Sequence, residues 1–245
     1  MKQRPLLAVH VTLTAIMFAV IAYFVLRGEK PAPPVGTERP TIALLTSLPL
    51  VFGESFSLDG GGSPTLDRLE QHYKVQLIGV ADTASLKGQR LLLMAHPRAQ
   101  PAEALVDLDR WVRDGGHLLL LADPKLDWPS ERPLGDVLRP SPMFADTGLL
   151  AHWGISLSGP YPDGLTTRRY GNREILTSAP GRLEAGAGCK ADAQGFVVRC
   201  SIGKGRATVI ADADFLNVEG PGALDGPTTH NLDLLTEELG RLGTR

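Results

Sequence analysis

Ser47, His96, Asp123, Asp212 and Asp214 are the residues whose types and positions most invite chemistry in this chain. Each lies at or just beyond the end of a short apolar run, where an open α/β sheet receives its ligands. Acids beside a serine and a histidine form a set suited to acid/base work or to holding a cation. Aspartate and serine at such places also serve as ordinary turn and cap residues, so both readings stand. Other chemistries are poorly supplied. The six histidines are scattered, with no HExxH or His-x-His pair, so a zinc site lacks a ligand set. Neither a metal nor a cofactor is expected. Gly60-Gly61-Gly62-Ser63 lacks the Lys-Ser/Thr of a phosphate loop and reads as a flexible loop. Gly203-Lys204-Gly205 reads as hairpin-turn chemistry. Cys189 falls in a loop-like stretch, EAGAGCKADAQG, and Cys200 inside a β-like run. Neither is followed by a helix, so neither suits a nucleophile elbow. Across a hairpin the two are instead suited to a disulfide, provided that the domain is exported.

The elements that must position these residues alternate. Residues 41–46 (TIALLT) and 90–95 (RLLLMA) are short apolar runs fit for strands buried on both faces. Residues 53–64 read as a loop, 65–73 as a helix and 74–80 as a strand. Pro101 opens the clearest helix, whose Leu105, Leu108, Trp111 and Val112 form one apolar stripe. Asp114-Gly115-Gly116 ends it, and residues 117–122 (HLLLLA) follow as a buried strand. Strand, helix and strand with short joins make a βαβ unit with parallel pairing and a right-handed crossover. Residues 124–170 read as a long, partly irregular insertion. Its Trp128, Trp153 and Tyr161 are either packing residues or stacking surfaces for a glycan. Residues 174–177 suggest a short strand, and 196–201 with 206–211 a hairpin. Thr229 is placed to cap a last helix carrying Leu232, Leu235, Leu239 and Leu242. The fold class is therefore α/β, a mostly parallel sheet with helices on both faces and a late antiparallel addition.

Ahead of that domain lies a different kind of segment. Leu6 to Leu26 is a run of 21 residues without a formal charge. As a helix it would be about 31 Å long, enough to cross a bilayer core. It is longer than a signal-peptide core and no small-x-small cleavage pattern follows, so it reads as a retained transmembrane anchor. Residues 1–30 thus form an anchor with short flanks, 31–40 (PAPPVGTERP) a proline-rich stalk, and 41–245 the α/β domain. The basic flanks slightly favour a cytoplasmic N-terminus and an exported domain. The 245 residues carry 25 basic and 27 acidic side chains, a net charge of −2, and no basic block of the kind nucleic acid requires. With 43% hydrophobic residues the chain is not wholly disordered.

Residues 91–124, LLLMAHPRAQPAEALVDLDRWVRDGGHLLLLADP, resemble the central βαβ block of the auxiliary domain of ABC-type uncharacterised transport systems, the group that includes GldG-type gliding-motility components. Residues 202–217, IGKGRATVIADADFLN, resemble that group's later block, and residues 41–50, TIALLTSLPL, are similar too. The resemblance implies a flavodoxin-like sheet of the class I glutamine amidotransferase type without its catalytic residues. The nucleophilic cysteine of the active enzymes would follow residues 117–122, where this chain reads Ala122-Asp123-Pro124. No His-x-Glu follows near Asp212 to Phe215 either. The implied function is that of a non-catalytic, single-pass component of the bacterial inner membrane, its main domain periplasmic. It would meet lipid through residues 6–26 and bind an ABC permease or ATPase. The competing readings are a periplasmic hydrolase using strand-end Ser and Asp residues, and a glycan- or small-molecule-binding module.

Overall fold

The computed structural model describes residues 39–51, 62–192, 194–220 and 222–244. The expected membrane span, most of the stalk and Gly60-Gly61 of the glycine-rich loop lie outside them. Among the described residues no helix is long and apolar enough to cross a membrane.

The apolar runs form the centre of a seven-stranded sheet. Its strands are β1 (Thr41–Thr46), β2 (Lys74–Leu77), β3 (Leu91–Ala95), β4 (His117–Leu121), β9 (Cys189–Ala191), β10 (Val197–Ile202) and β11 (Gly205–Ile210), in the order β2-β1-β3-β4-β11-β10-β9. The first five of that order pair in parallel, and β10 and β9 add antiparallel. Chain direction across the sheet reverses between β1 and β3, a topological switch point. The runs are continuous rather than alternating because both faces of the sheet are covered. Ile42, Leu44, Leu91, Leu93, Leu119 and Leu121 point into one core. Their neighbours Ala43, Leu45, Leu92, Met94, Leu118 and Leu120 point into the other.

Helices α1 (Pro64–His72) and α5 (Asn231–Gly243) supply the first core, through Leu69 and through Leu232, Leu235 and Leu239. Helices α2 (Thr83–Leu86), α3 (Ala102–Arg113) and α4 (Leu149–His152) supply the second, through Leu86, Leu108, Val112 and Leu150. Helix α1 starts where Ser63 Oγ accepts the Leu66 N–H at 3.2 Å with Pro64 behind it. Two small antiparallel sheets flank the main one: β5 (Ile155–Ser158) with β8 (Arg182–Ala185), and β6 (Leu165–Tyr170) with β7 (Arg173–Ser178).

Several boundaries differ from the sequence reading. The 124–170 stretch is irregular only as far as Thr147, after which it holds α4, β5 and β6. Strand β6, LTTRRY, is mostly exposed or half-buried, so it carries no apolar run to announce it. The strand expected over 74–80 ends at Leu77. The last helix begins at Asn231 with His230, not Thr229, at its cap. The buried Asn231 side chain explains the shift: it donates to Leu176 O and Phe215 O and accepts from Leu176 N, which fixes the helix start.

The Gly203-Lys204-Gly205 turn joins β10 to β11 as expected, but it also packs against the end of α3. A Cβ on Gly205 would stand 2.1 Å from Val112 O and 2.2 Å from Gly116 O, and one on Gly203 would stand 2.6 Å from Arg113 O. Those neighbours are backbone, which cannot swing aside. Gly205→Ala is therefore expected to cost about 3 kcal/mol, the upper part of the overpacking range. That corresponds to a fall in melting temperature of about 6–12 °C for a domain of this size. Lys204→Ala, at an exposed position between them, is the control and should leave the melt within about 2 °C of the parent.

Candidate functional site

Strands β4 and β11 are paired in parallel with Leu121 opposite Ile210, so their carboxyl ends coincide. Ala122 N–H continues the ladder to Ile210 O at 2.8 Å. Two residues beyond the last pair, Asp123 and Asp212 must come together, and the 3₁₀ turn Asp214–Leu216 folds Asp214 back beside them. One carboxylate oxygen of each aspartate lies within 4.8 Å of the other two. All three are buried. Backbone donors hold them in place. Asp123 accepts Lys125 N–H through Oδ1 and Ala213 N–H through Oδ2, each at 2.9 Å. Asp212 Oδ1 accepts Phe215 N–H at 3.0 Å, and Asp214 Oδ2 accepts Asp127 N–H at 2.8 Å.

Burial and mutual repulsion govern the charge of this group. Loss of water, with a smaller push from Asp127, raises the Asp123 carboxyl to about 7 against the pull of its backbone donors. Burial and the Asp123 charge raise Asp214 to about 8. Asp212 goes well above the usual carboxylate range through burial and then through Asp123 and Asp214. The three carboxyls share protons or require a cation, and an all-oxygen set of this kind suits a hard divalent ion.

Lys125, Asp127, Asp163, Thr177 and Ser178, which the sequence did not mark, belong to this corner. Lys125 Nζ sits 2.5 Å from Asp163 Oδ1 and 3.5 Å from Asp127 Oδ1. Ser178 Oγ donates to Asp127 Oδ2 at 2.6 Å. The buried Thr177 hydroxyl acts on Asp212, lowering its proton affinity. Thr177 and Ser178 come from β7, whose place beside Asp212 is a tertiary fact with no local signal.

Ser47 and His96 form a separate pair at the ends of β1 and β3. Ser47 Oγ donates to the His96 carbonyl at 2.5 Å rather than to its ring. The His96 ring is buried, with Nε2 2.8 Å from Ser141 O. A carbonyl only accepts, so Nε2 carries the proton and Nδ1 is a bare, unpartnered nitrogen. Burial lowers its pKa and keeps the ring neutral. The backbone of His96 adopts φ 46°, a left-handed conformation that histidine tolerates better than most residues. The structure thus divides the five predicted residues into a carboxylate triad and a backbone-bound Ser–His pair. Beside the pair, at the switch point, opens a cleft of about 480 Å³ whose lining includes Thr46, Ser47, Leu77, Arg98, Arg132 and Leu138.

Cys189 and Cys200 are joined by a disulfide across facing positions of β9 and β10, with Cα atoms 4.0 Å apart. Cys189 stands in an edge strand rather than in a loop. Of the aromatics in the insertion, Trp153 is buried and donates to Asp109 Oδ1 at 2.7 Å, and Trp128 packs against the first core. Tyr161 alone of the three is exposed.

No protein-family model matches the chain, and no curated protein does. Solved structures share its fold. The cytoplasmic protein STM1381 from Salmonella typhimurium LT2 superposes with a TM-score of 0.52 at 12% identity, over 83% of this chain and 100% of that one. The cytoplasmic protein STM3548 from Salmonella typhimurium gives 0.52 at 9% identity, over 84% and 100%. A TM-score of 0.45 at 14% identity is reached by the exo-β-1,4-mannosidase Op5Man5 from Opitutaceae bacterium strain TAV5, over 82% of this chain. The chain spans about a third of the length of that enzyme (34%). At these identities the likeness to the two Salmonella proteins is one of fold.

Two tests follow. In a chelating buffer the triad has folded-state pKa values above the ordinary, unfolded carboxylate value. Its contribution to stability is then full below about pH 4 and is lost as pH rises through 7 to 8. Asp212→Asn keeps the oxygen that accepts from Phe215 and removes one ionisation, so its melting temperature should fall less between pH 5 and 8.5 than the parent's. The disulfide closes a short loop, and replacing both cysteines by alanine should cost about 3 kcal/mol in chemical denaturation.

Proposed function

We propose that this chain is a non-catalytic, membrane-anchored accessory of an ABC-type export system, with its α/β domain outside the cytoplasm. The observation that carries this reading is the use made of Asp123. In the flavodoxin-like, amidotransferase-like description suggested by the resemblance, Asp123 stands in the stretch Ala122-Asp123-Pro124, where the nucleophile elbow would be. Here that place holds a buried acid, each of whose oxygens accepts a backbone N–H, from Lys125 and from Ala213. The parallel order β2-β1-β3-β4-β11 accords with that description. Ser47 and His96, the serine and histidine of the strand-end set, are each tied to a carbonyl. The Cys189–Cys200 disulfide supports an oxidising compartment. The uncharged run Leu6–Leu26 supports an inner-membrane anchor with a cytoplasmic N-terminus.

A single pass offers an ATPase on the other side of the membrane little to hold, so the partner is the membrane permease. The switch-point cleft is its contact surface in this proposal. Leu77, Val137 and Leu138 line it and are 49, 76 and 61% exposed, an apolar surface of the kind that partners cover. Arg98 adds positive charge to that lining, while Arg132 beside it is paired with Asp136, which suits a partner segment that is apolar with an acidic flank. A hydrolase using the strand-end carboxylates has weaker support, because groups this buried cannot reach a substrate in hydrogen-bond geometry.

Affinity capture of the tagged full chain from gently solubilised membranes tests the proposal. A permease, with or without its ATPase, is expected at near-equal amounts, and Val137→Asp with Leu138→Asp should lower its recovery at least tenfold. Recovery of the folded protein alone would overturn the stable-subunit reading.

A further inference from the structure

Four acidic side chains in the described residues are at most 1% exposed, and the fold treats them in two ways. Glu238 is fully paired. Arg199 Nε donates to its Oε2 at 2.9 Å, while Arg199 Nη2 and the Tyr170 hydroxyl both donate to its Oε1. That is what a buried charge requires. Asp123, Asp212 and Asp214 have no such partner: among the described residues no Lys, Arg or His nitrogen lies within 4.0 Å of their carboxylates. Lys125 is held by Asp163 and Asp127. Arg168 is near enough for Asp212 to act on it electrostatically, but its guanidinium donates to Tyr161 O.

A second observation is independent of the acids. The Thr177 hydroxyl, fully buried on β7, completes no hydrogen bond by distance and angle, and it lowers the proton affinity of Asp212. Asp212 Oδ2 is likewise buried and unpartnered. An unpartnered hydroxyl that acts on Asp212 and an unpartnered oxygen of Asp212 itself thus belong to the corner where the other two carboxylates converge. A bound ion is one of the partners that account for buried polar atoms left this way.

We propose that Asp123, Asp212, Asp214 and Thr177 together bind one hard divalent cation, Ca²⁺ or Mg²⁺, at the joined ends of β4 and β11. All four donors are oxygen, with neither imidazole nor thiolate to favour a softer metal. Bonds of about 2.4 Å to Ca²⁺ allow two ligand oxygens to stand up to about 4.8 Å apart, and one oxygen of each carboxylate lies within that distance of the other two. The site departs from the sequence expectation of no metal, and it does not rest on the accessory reading.

The full chain in mild detergent, stripped with EDTA, is titrated with CaCl₂ and MgCl₂ against NaCl of matched ionic strength. Heat and melting temperature are followed, and bound metal is counted by mass spectrometry. One equivalent of cation is expected, with a rise of about 5–10 °C in melting temperature at a hundredfold excess over Kd. Asp212→Asn should abolish binding. Thr177→Val, which removes no charge, should weaken it about tenfold or more and carries the test if the first variant does not fold. Asp109→Asn on α3 should leave the stoichiometry and Kd of the cation unchanged. Absence of a saturable response to either cation overturns the proposal, as does a response that survives Asp212→Asn with Asp214→Asn.

Discussion

The carboxylate of Asp123 ties the end of β4 to the end of β11, and the corner around it depends on that bridge. Its Oδ2 takes the Ala213 N–H just past β11, and its Oδ1 takes the Lys125 N–H just past β4. Where a parallel ladder stops inside a protein, backbone donors lose their partners, and leaving one unpaired costs about 1–3 kcal/mol. A short acid at the strand end satisfies two at once. Its own carbonyl then accepts Phe144 N–H at 2.7 Å, which anchors the long segment after β4. The cost of this solution is a charge in a dry place. That cost falls on three carboxylates together, because the same register that makes the bridge brings in Asp212 and Asp214.

The centre of the fold was legible in the sequence and its edges were not. TIALLT, LLLMA and HLLLL are apolar throughout because both of their faces are buried, a local pattern that reports a global fact. Helix α3 was legible for the same kind of reason: its stripe of Leu105, Leu108, Trp111 and Val112 has only one side to cover. Strands β6 and β9 carry no such signal, since each lies in a small or edge pairing with most residues exposed or half-buried. Cys189 was thus read as a loop residue although it stands opposite Cys200 in a ladder. The five site residues were marked singly by their strand-end positions. Their division into a triad and a pair follows from strand order, which depends on contacts between segments some ninety residues apart.

Glycine had two roles that one motif could not separate. Gly203 needs its left-handed φ of 58° for the turn, as hairpin chemistry predicts. Gly205 is required for a reason absent from any turn rule, the close approach of Val112 O and Gly116 O. The hairpin therefore sets the seat of α3 against the sheet as well as the register of β10 on β11.

The two strand-end groups obey one structural rule with opposite electrostatic consequences. Ser47 and His96 close the ends of β1 and β3 with neutral groups, and a hydroxyl or an imidazole N–H on a carbonyl leaves no charge to balance. The triad closes β4 and β11 with carboxylates and leaves a demand for protons or a cation. The open cleft lies at the neutral end, on the switch point, while the charged end is sealed. The same segment is bonded to both. Phe144 N–H is held by Asp123 O, Leu126 N–H by Pro142 O, and Ser141 O receives the His96 ring. Between those ties run Val137 and Leu138, which line the cleft. Whatever neutralises the aspartates therefore fixes one root of the segment that shapes the cleft, and the charge state of a buried corner bears on a surface open to a partner.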